Sequence, residues 1–199
     1  MKKIVALGVI SVVCASSAFA QVSNFTGPSV GAGIDFRSTT LEVSGGGIDF
    51  SGLGSQNIIG TVSGDYGFAL SNTSVALVGA KFDLNNTQIA KASGGGNSVA
   101  LEEKGHYSVF VAPGILLNDK TLAYAKLSLE SAKYGLDKGG DTEETGHGIG
   151  YGVGIRTHIS GNWFANIEAG RIAYNSKDAG SASMKTGSTV ASFGVSYKF

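Results

Sequence analysis

The chain carries little charge, only two prolines and a single cysteine. Its 199 residues include 15 Lys or Arg and 15 Asp or Glu, so the formal net charge is zero. Nucleic-acid-binding proteins usually show a basic excess or stripe, so this balance excludes a nucleic-acid partner. One cysteine excludes an internal disulfide and a cysteine-rich metal site. The charged fraction of 15% also falls well below the roughly 25% of ordinary soluble domains.

Long apolar runs are missing from most of the chain, although hydrophobic residues make up 42% of it and glycine occurs 31 times. That hydrophobic content is too high for a disordered chain. A membrane helix needs about 20 consecutive apolar residues. After residue 20 the best apolar stretch is short, and Pro113 and Gly114 interrupt it. If the mature chain enters a membrane, it does so without helices.

The first twenty residues have the features of an export signal. A short basic start precedes the apolar run Ile4–Val13, and Ala18 and Ala20 supply the small residues that a signal peptidase recognises. The sequence therefore predicts a signal peptide at residues 1–20, cleaved after Ala20. The mature domain is expected to span residues 21–199.

Eight later segments alternate between apolar and polar residues, which is typical of strands with two different faces. Each is about 10 to 13 residues long, whereas strands usually have about 5 or 6 residues. A tilted strand needs about 9 to 11 residues to cross a bilayer, which these segments match. The predicted strands are Ser29–Thr39, Ile58–Leu70, Ser74–Asn85, Gly105–Leu117, Leu122–Tyr134, Gly148–His158, Trp163–Tyr174 and Ser188–Phe199.

Short and long connections alternate between these segments. The short ones, near residues 71–73, 118–121 and 160–162, consist of turn-forming residues, and the long ones are polar. Outer-membrane barrels have this plan, and a sheet in a bilayer must close to satisfy its backbone. The predicted fold is all-β: an eight-stranded antiparallel transmembrane up-and-down β-barrel with short periplasmic turns and long external loops. Those loops are expected at residues 40–57, 86–104, 135–147 and 175–187.

Alternation also predicts which residues face the interior. An eight-stranded barrel is just wide enough for side chains to fill it. The inward set has as many cations as anions, and unpaired buried charge is costly, so we expect a closed salt-bridge network and a plugged lumen. Arg171 instead falls on the outward face at the loop end, where it would meet lipid phosphates unless a bulge rotates it. The predicted network comprises Asp35, Arg37, Asp65, Lys81, Asp83, Lys126, Glu130, Arg156, Glu168 and Lys198.

The end of the chain resembles the assembly signal of bacterial outer-membrane barrels: Phe199 is terminal, and Phe193, Val195 and Tyr197 precede it at every second position. Residues 148–155 and 168–172 resemble the OmpX/Ail group of the OmpA-like transmembrane barrel superfamily. The resemblance implies insertion into the outer membrane of a Gram-negative bacterium by the assembly machinery. It also implies a non-enzymatic role in surface integrity or adhesion. The implied partners are outer-membrane lipid, lipopolysaccharide and a host or surface ligand bound by the loops.

Two alternatives to this role depend on the lumen. A small porin-like channel would need a continuous wet interior. A lipid A-modifying enzyme would use His106 and Ser108, which resemble the His and Ser of lipid A deacylase barrels. Alternation places both residues inside the barrel instead of facing lipid, so we expect no enzyme. The three histidines are scattered, and neither a metal nor a cofactor is expected.

Overall fold

The computed structural model describes residues 22–45, 48–94, 97–136, 144–179 and 182–199. The predicted signal peptide, with Ala18 and Ala20, lies outside these ranges. Within them, no helix has the length and hydropathy to cross a membrane. The elements in chain order are a 3₁₀ helix (Val22–Phe25) and the strands β1 (Gly27–Gly45), β2 (Ile48–Ala69), β3 (Ser74–Asp83), β4 (Thr87–Gly94), β5 (Asn97–Asn118), β6 (Thr121–Leu136), β7 (Glu144–Ser160), β8 (Trp163–Tyr174), β9 (Lys177–Ala179) and β10 (Ala182–Lys198).

The strands form a closed antiparallel ring in the order β1, β2, β3, β5, β6, β7, β8 and β10. Closure comes from β1 and β10, which pair without interruption from Ser29 opposite Lys198 to Gly45 opposite Ala182. Strand β4 pairs with β5, and β9 pairs with β10, so each extends the edge of the ring. The predicted eight-stranded up-and-down barrel is confirmed.

The two ends of the barrel differ. At one end, here called the turn end, tight turns join β2 to β3, β5 to β6 and β7 to β8. At the other, the hairpin end, Gly45 still pairs with Ile48 and Gly94 with Asn97. Much of the expected external loops is therefore paired strand. Alternation reveals a strand only where its two faces meet different surroundings, and backbone pairing continues past that point.

The outward face of the ring is an apolar belt. Val153 is 63% exposed and Ile155 is 45% exposed, whereas Arg156, the next residue along the same strand, is buried. Exposed apolar area of this extent is unusual for a protein surrounded by water and typical of a lipid-facing barrel. The terminal residues Phe193, Val195 and Phe199 belong to this belt. Tyr197 packs its ring 5.2 Å from that of Trp163. Their role in assembly stays a prediction.

A bulge in β5 changes which residues face inward. The pairing of β5 with β6 shifts between Lys104 and Tyr107, so one extra residue is accommodated in β5. Gly105 lies there with a φ of +56°, which favours glycine over residues with a side chain. Consequently Glu103 and His106 are both buried although they are three positions apart.

Candidate functional site in the barrel lumen

The turn end of the lumen is closed by apolar side chains. The 3₁₀ helix places Phe25 against Phe164 of β8, with ring centroids 5.5 Å apart. Lys198 supports this helix by donating from Nζ to the carbonyl oxygen of Ser23 at 2.6 Å. The cluster, here called the apolar plug, consists of Phe25, Val75, Leu77, Ala112, Leu122, Tyr124 and Phe164.

Two ion pairs cross the middle of the lumen. Arg156 donates from both terminal nitrogens to the carboxylate of Asp65, at 2.9 and 2.7 Å. Lys126 donates to Glu168 at 2.8 Å, and the Tyr124 hydroxyl donates to the other oxygen of Glu168, also at 2.8 Å. In each pair one cation faces one carboxylate, so this layer is electrically balanced.

A third group of charges, the hairpin-end cluster, consists of Asp35, Arg37, Lys81, Asp83, Glu103, His106 and Glu130. Arg37 donates to Glu103 at 2.7 Å and to Asp83 at 2.8 Å. Lys81 donates to Asp35 at 2.7 Å. The imidazole nitrogens of His106 lie 3.0 Å from Asp83 and 3.0 Å from Glu130. All of these charged groups except Lys81 are almost completely shielded from solvent.

Polar atoms in the hairpin-end cluster are left without partners. Within the described ranges, Asp35 Oδ1, Asp83 Oδ1 and Glu103 Oε2 are buried and accept no hydrogen bond. Asp83, Glu103 and His106 each offer one ligand atom, and these atoms lie within 4.8 Å of one another. This is where the residues present could hold a metal ion.

The structure brings nine of the ten charges of the predicted network into the contacts described above, and the tenth, Lys198, takes part in none of those ion pairs. Lys198 is at the turn end, bound to a backbone carbonyl. The predicted network lacks Glu103 and His106: residue 103 falls in a predicted loop, and His106 is expected inside the barrel but outside the network. The signal that identifies Glu103 is Gly105, because a glycine in a strand often marks a bulge.

Two glycines of β7 make room for the buried polar groups. A Cβ on Gly154 would lie 2.5 Å from the Tyr124 ring, and a Cβ on Gly150 would lie 2.5 Å from a Glu130 oxygen. Even so, the space that remains is small. Two cavities between the layers have volumes of about 50 Å³ each. A water molecule needs roughly 10 to 15 Å³, so each cavity has room for only a few waters.

The residues considered for lipid chemistry point away from lipid. His106 and Ser108 are 4% and 2% exposed, and both line the lumen. Arg171 is exposed on the outward face, opposite Tyr151 and Thr189 in continuous register, so no bulge rotates it. The described part of the barrel therefore places His106 and Ser108 in a salt-bridged interior. It places Arg171 at the lipid surface.

Solved structures with this architecture come from several Gram-negative bacteria. The attachment invasion locus protein Ail of Yersinia pestis is 15% identical, with 87% of this chain and 99% of that chain covered and a TM-score of 0.47. Neisserial surface protein A is 17% identical, with 87% and 98% covered and a TM-score of 0.48. The outer membrane protein OprG of Pseudomonas aeruginosa is 10% identical, with 87% and 97% covered and a TM-score of 0.51. Likeness at these identities concerns the fold alone.

No curated protein matches the chain in sequence. The family model described as "Outer membrane protein beta-barrel domain" matches residues 5–199. The expected small outer-membrane β-barrel is confirmed at the level of fold and family. The chain therefore belongs to the outer membrane protein beta-barrel domain family, and its location is the outer membrane of a Gram-negative bacterium.

Proposed function

We propose that this protein is a closed, non-enzymatic scaffold that holds β-hairpins at the cell surface for adhesion or for surface integrity. The observation that carries the proposal is the filled lumen. Leu77 and Leu122 of the apolar plug are at most 1% exposed, and Arg37 at the other end is 1% exposed. A solute would have to displace both the apolar plug and the hairpin-end cluster. The barrel therefore serves as a support, and contact with other molecules takes place at its hairpin end.

The hairpins are long enough to reach beyond the membrane. Strands β2 and β5 each contain 22 residues, and about 9 to 11 residues cross a bilayer. About half of each strand is therefore left to project from the external surface. At about 3.3 Å per residue this is a reach of roughly 35 Å along the strand.

Contacts between neighbouring hairpins favour a firm surface. Ser55 and Asn57 of the β1–β2 hairpin both donate to the carbonyl oxygen of Gln88 in β4. Leu41 and Ile89 are buried nearby, at 6% and 2% exposure. Hairpins braced in this way lose less conformational entropy when they bind a ligand than separate flexible loops would. This supports a role in surface contact.

Outer-membrane lipid is a second partner of the proposed scaffold. Arg171 is exposed at the hairpin-end half of β8, opposite Tyr151 in the register with the neighbouring strand. A guanidinium forms paired hydrogen bonds with phosphate, and lipopolysaccharide carries phosphates at the outer surface. The alternating residues at the end of β10, together with Phe199 that follows the strand, are the part offered to the assembly machinery.

Planar-bilayer recordings test the closed scaffold directly. The refolded mature protein should show no steady unitary conductance, because its lumen keeps only small separate cavities. A Phe25→Ala, Phe164→Ala double variant is the matched comparison, since it shortens the apolar plug and leaves the outward belt unchanged. Stable conductance steps from the unmodified protein would support the small channel and overturn the proposal.

A further inference from the structure

The hairpin-end cluster has too few cations for its carboxylates. Elsewhere in the lumen, Arg156 pairs with Asp65 and Lys126 pairs with Glu168. Among the described residues, Asp35, Asp83, Glu103 and Glu130 make their direct ion pairs with two permanent cations, Arg37 and Lys81, and with His106. Buried charge without compensation is strongly unfavourable. One dipositive ion would neutralise the described cluster while His106 stays neutral.

The donor atoms converge on one place. The Asp83 side chain is 2% exposed, Glu103 is 0% exposed and His106 is 4% exposed, and their ligand atoms lie within 4.8 Å of one another. In the tetrahedral geometry that zinc prefers, two ligands about 2.1 Å from the ion are about 3.4 Å apart. The ligand atoms therefore have to approach one another by up to about 1.4 Å, which movement of the three side chains has to supply.

Arg37 leaves oxygens available for such an ion. It binds Oε1 of Glu103 and Oδ2 of Asp83. The second oxygens, Glu103 Oε2 and Asp83 Oδ1, are buried without a hydrogen-bond partner in the described chain. Buried carboxylate oxygens are normally satisfied, so two free ones beside an imidazole point to a ligand.

Two tyrosines give an independent sign of a missing partner. Tyr134 lies opposite Glu103 in the register of β5 and β6, and its ring meets Tyr174 at 5.9 Å in an edge-to-face contact. Tyr174 is 6% exposed, and the hydroxyl oxygens of both tyrosines are buried without a partner among the described residues. Water molecules bound to a metal ion would supply partners for these hydroxyls.

We propose that the hairpin-end cluster is a binding site for one divalent transition-metal ion, with Asp83, Glu103 and His106 as its ligands. One nitrogen and two carboxylate oxygens form a donor set that suits zinc or manganese. The second imidazole nitrogen of His106 then faces Glu130 Oε2, 3.0 Å away, as in the carboxylate–histidine–metal arrangement common in metalloproteins. The ion ties β3, β5 and β6 together below the hairpins.

Metal titration of the folded barrel tests this site. The protein is the mature chain in detergent micelles, carrying His147→Gln and His158→Gln to remove the other two histidines, and stripped with EDTA. Calorimetric titration with Zn²⁺ or Mn²⁺ should give one site per chain. Glu103→Gln and Asp83→Asn should each weaken it at least tenfold. Glu168→Gln, the same chemical change in the balanced middle layer, should leave affinity unchanged.

Equal affinity in all these variants would mean adventitious binding to surface carboxylates and would overturn the proposal, as would the absence of binding by the parent. A second measurement covers variants that do not fold, as judged by heat-dependent mobility on SDS gels. In the parent, His106 is the one histidine left. Its ¹⁵N imidazole resonances should move on addition of one equivalent of Zn²⁺, and unchanged resonances would refute the assignment.

Discussion

Replacement of Arg156 by methionine should destabilise the barrel severely. Arg156 is 8% exposed, and its two hydrogen bonds to Asp65 are the paired contacts that neutralise this carboxylate. Methionine fills similar space but leaves Asp65 as an uncompensated buried charge. Breaking a buried ion pair in this way costs about 3 to 5 kcal/mol. The Arg156 contact to Asn166 is lost as well, which adds to the effect.

Urea unfolding in lipid vesicles measures this cost, with gel mobility reporting the folded fraction. The double variant Arg156→Met, Asp65→Leu removes both charges, and it should recover at least about 2 kcal/mol relative to Arg156→Met alone. If Arg156→Met lowers the free energy of unfolding by less than about 1 kcal/mol, the pair is not in a dry lumen. A double variant no more stable than the single one would equally refute the reasoning.

Three further changes probe the plug, the packing and the terminal strand. Gly154→Ala should lower the free energy of unfolding in urea by about 1 to 3 kcal/mol, because the new methyl group displaces the Tyr124 ring. Phe25→Ala should cost about 3 kcal/mol in the same assay, since Phe25 is 3% exposed and packs on Phe164. Phe199→Ala should hardly change the free energy of unfolding in urea, because Phe199 is 69% exposed. The amount of folded protein in isolated outer membranes should nevertheless decrease. Normal accumulation of that last variant would contradict an assembly role.

Alternation in the sequence predicts the membrane-spanning part of the fold because lipid and lumen impose opposite demands on successive residues. Val153 and Arg156 show this: the first faces outward and the second is buried in an ion pair. The same rule fails at the hairpins. There, the three consecutive glycines at positions 45–47 carry no apolar–polar contrast, so Gly45, which pairs with Ile48, looks like part of a loop.

The ion-pair network was predictable to the extent that the strands stay regular. Asp35 and Lys81 follow strict alternation, and they meet at 2.7 Å. Glu103 does not, because the bulge at Gly105 moves it to the inward face one position out of phase. Pairing partners across the lumen also depend on the tilt and stagger of the closed ring, which no single strand encodes. This is why the charge excess at the hairpin end becomes visible only in the folded barrel.

Fluorescence quenching by brominated lipids tests the central claim, that lipid surrounds the apolar belt of a barrel with its charges inside. Trp163 is the one tryptophan in the chain, and it is 49% exposed at the turn end. Bromines near the headgroups should quench it, and bromines deep in the acyl chains should quench a Trp163→Phe, Val153→Trp variant. A folded barrel whose tryptophan at either position is quenched by aqueous iodide and unaffected by brominated lipid would contradict the account.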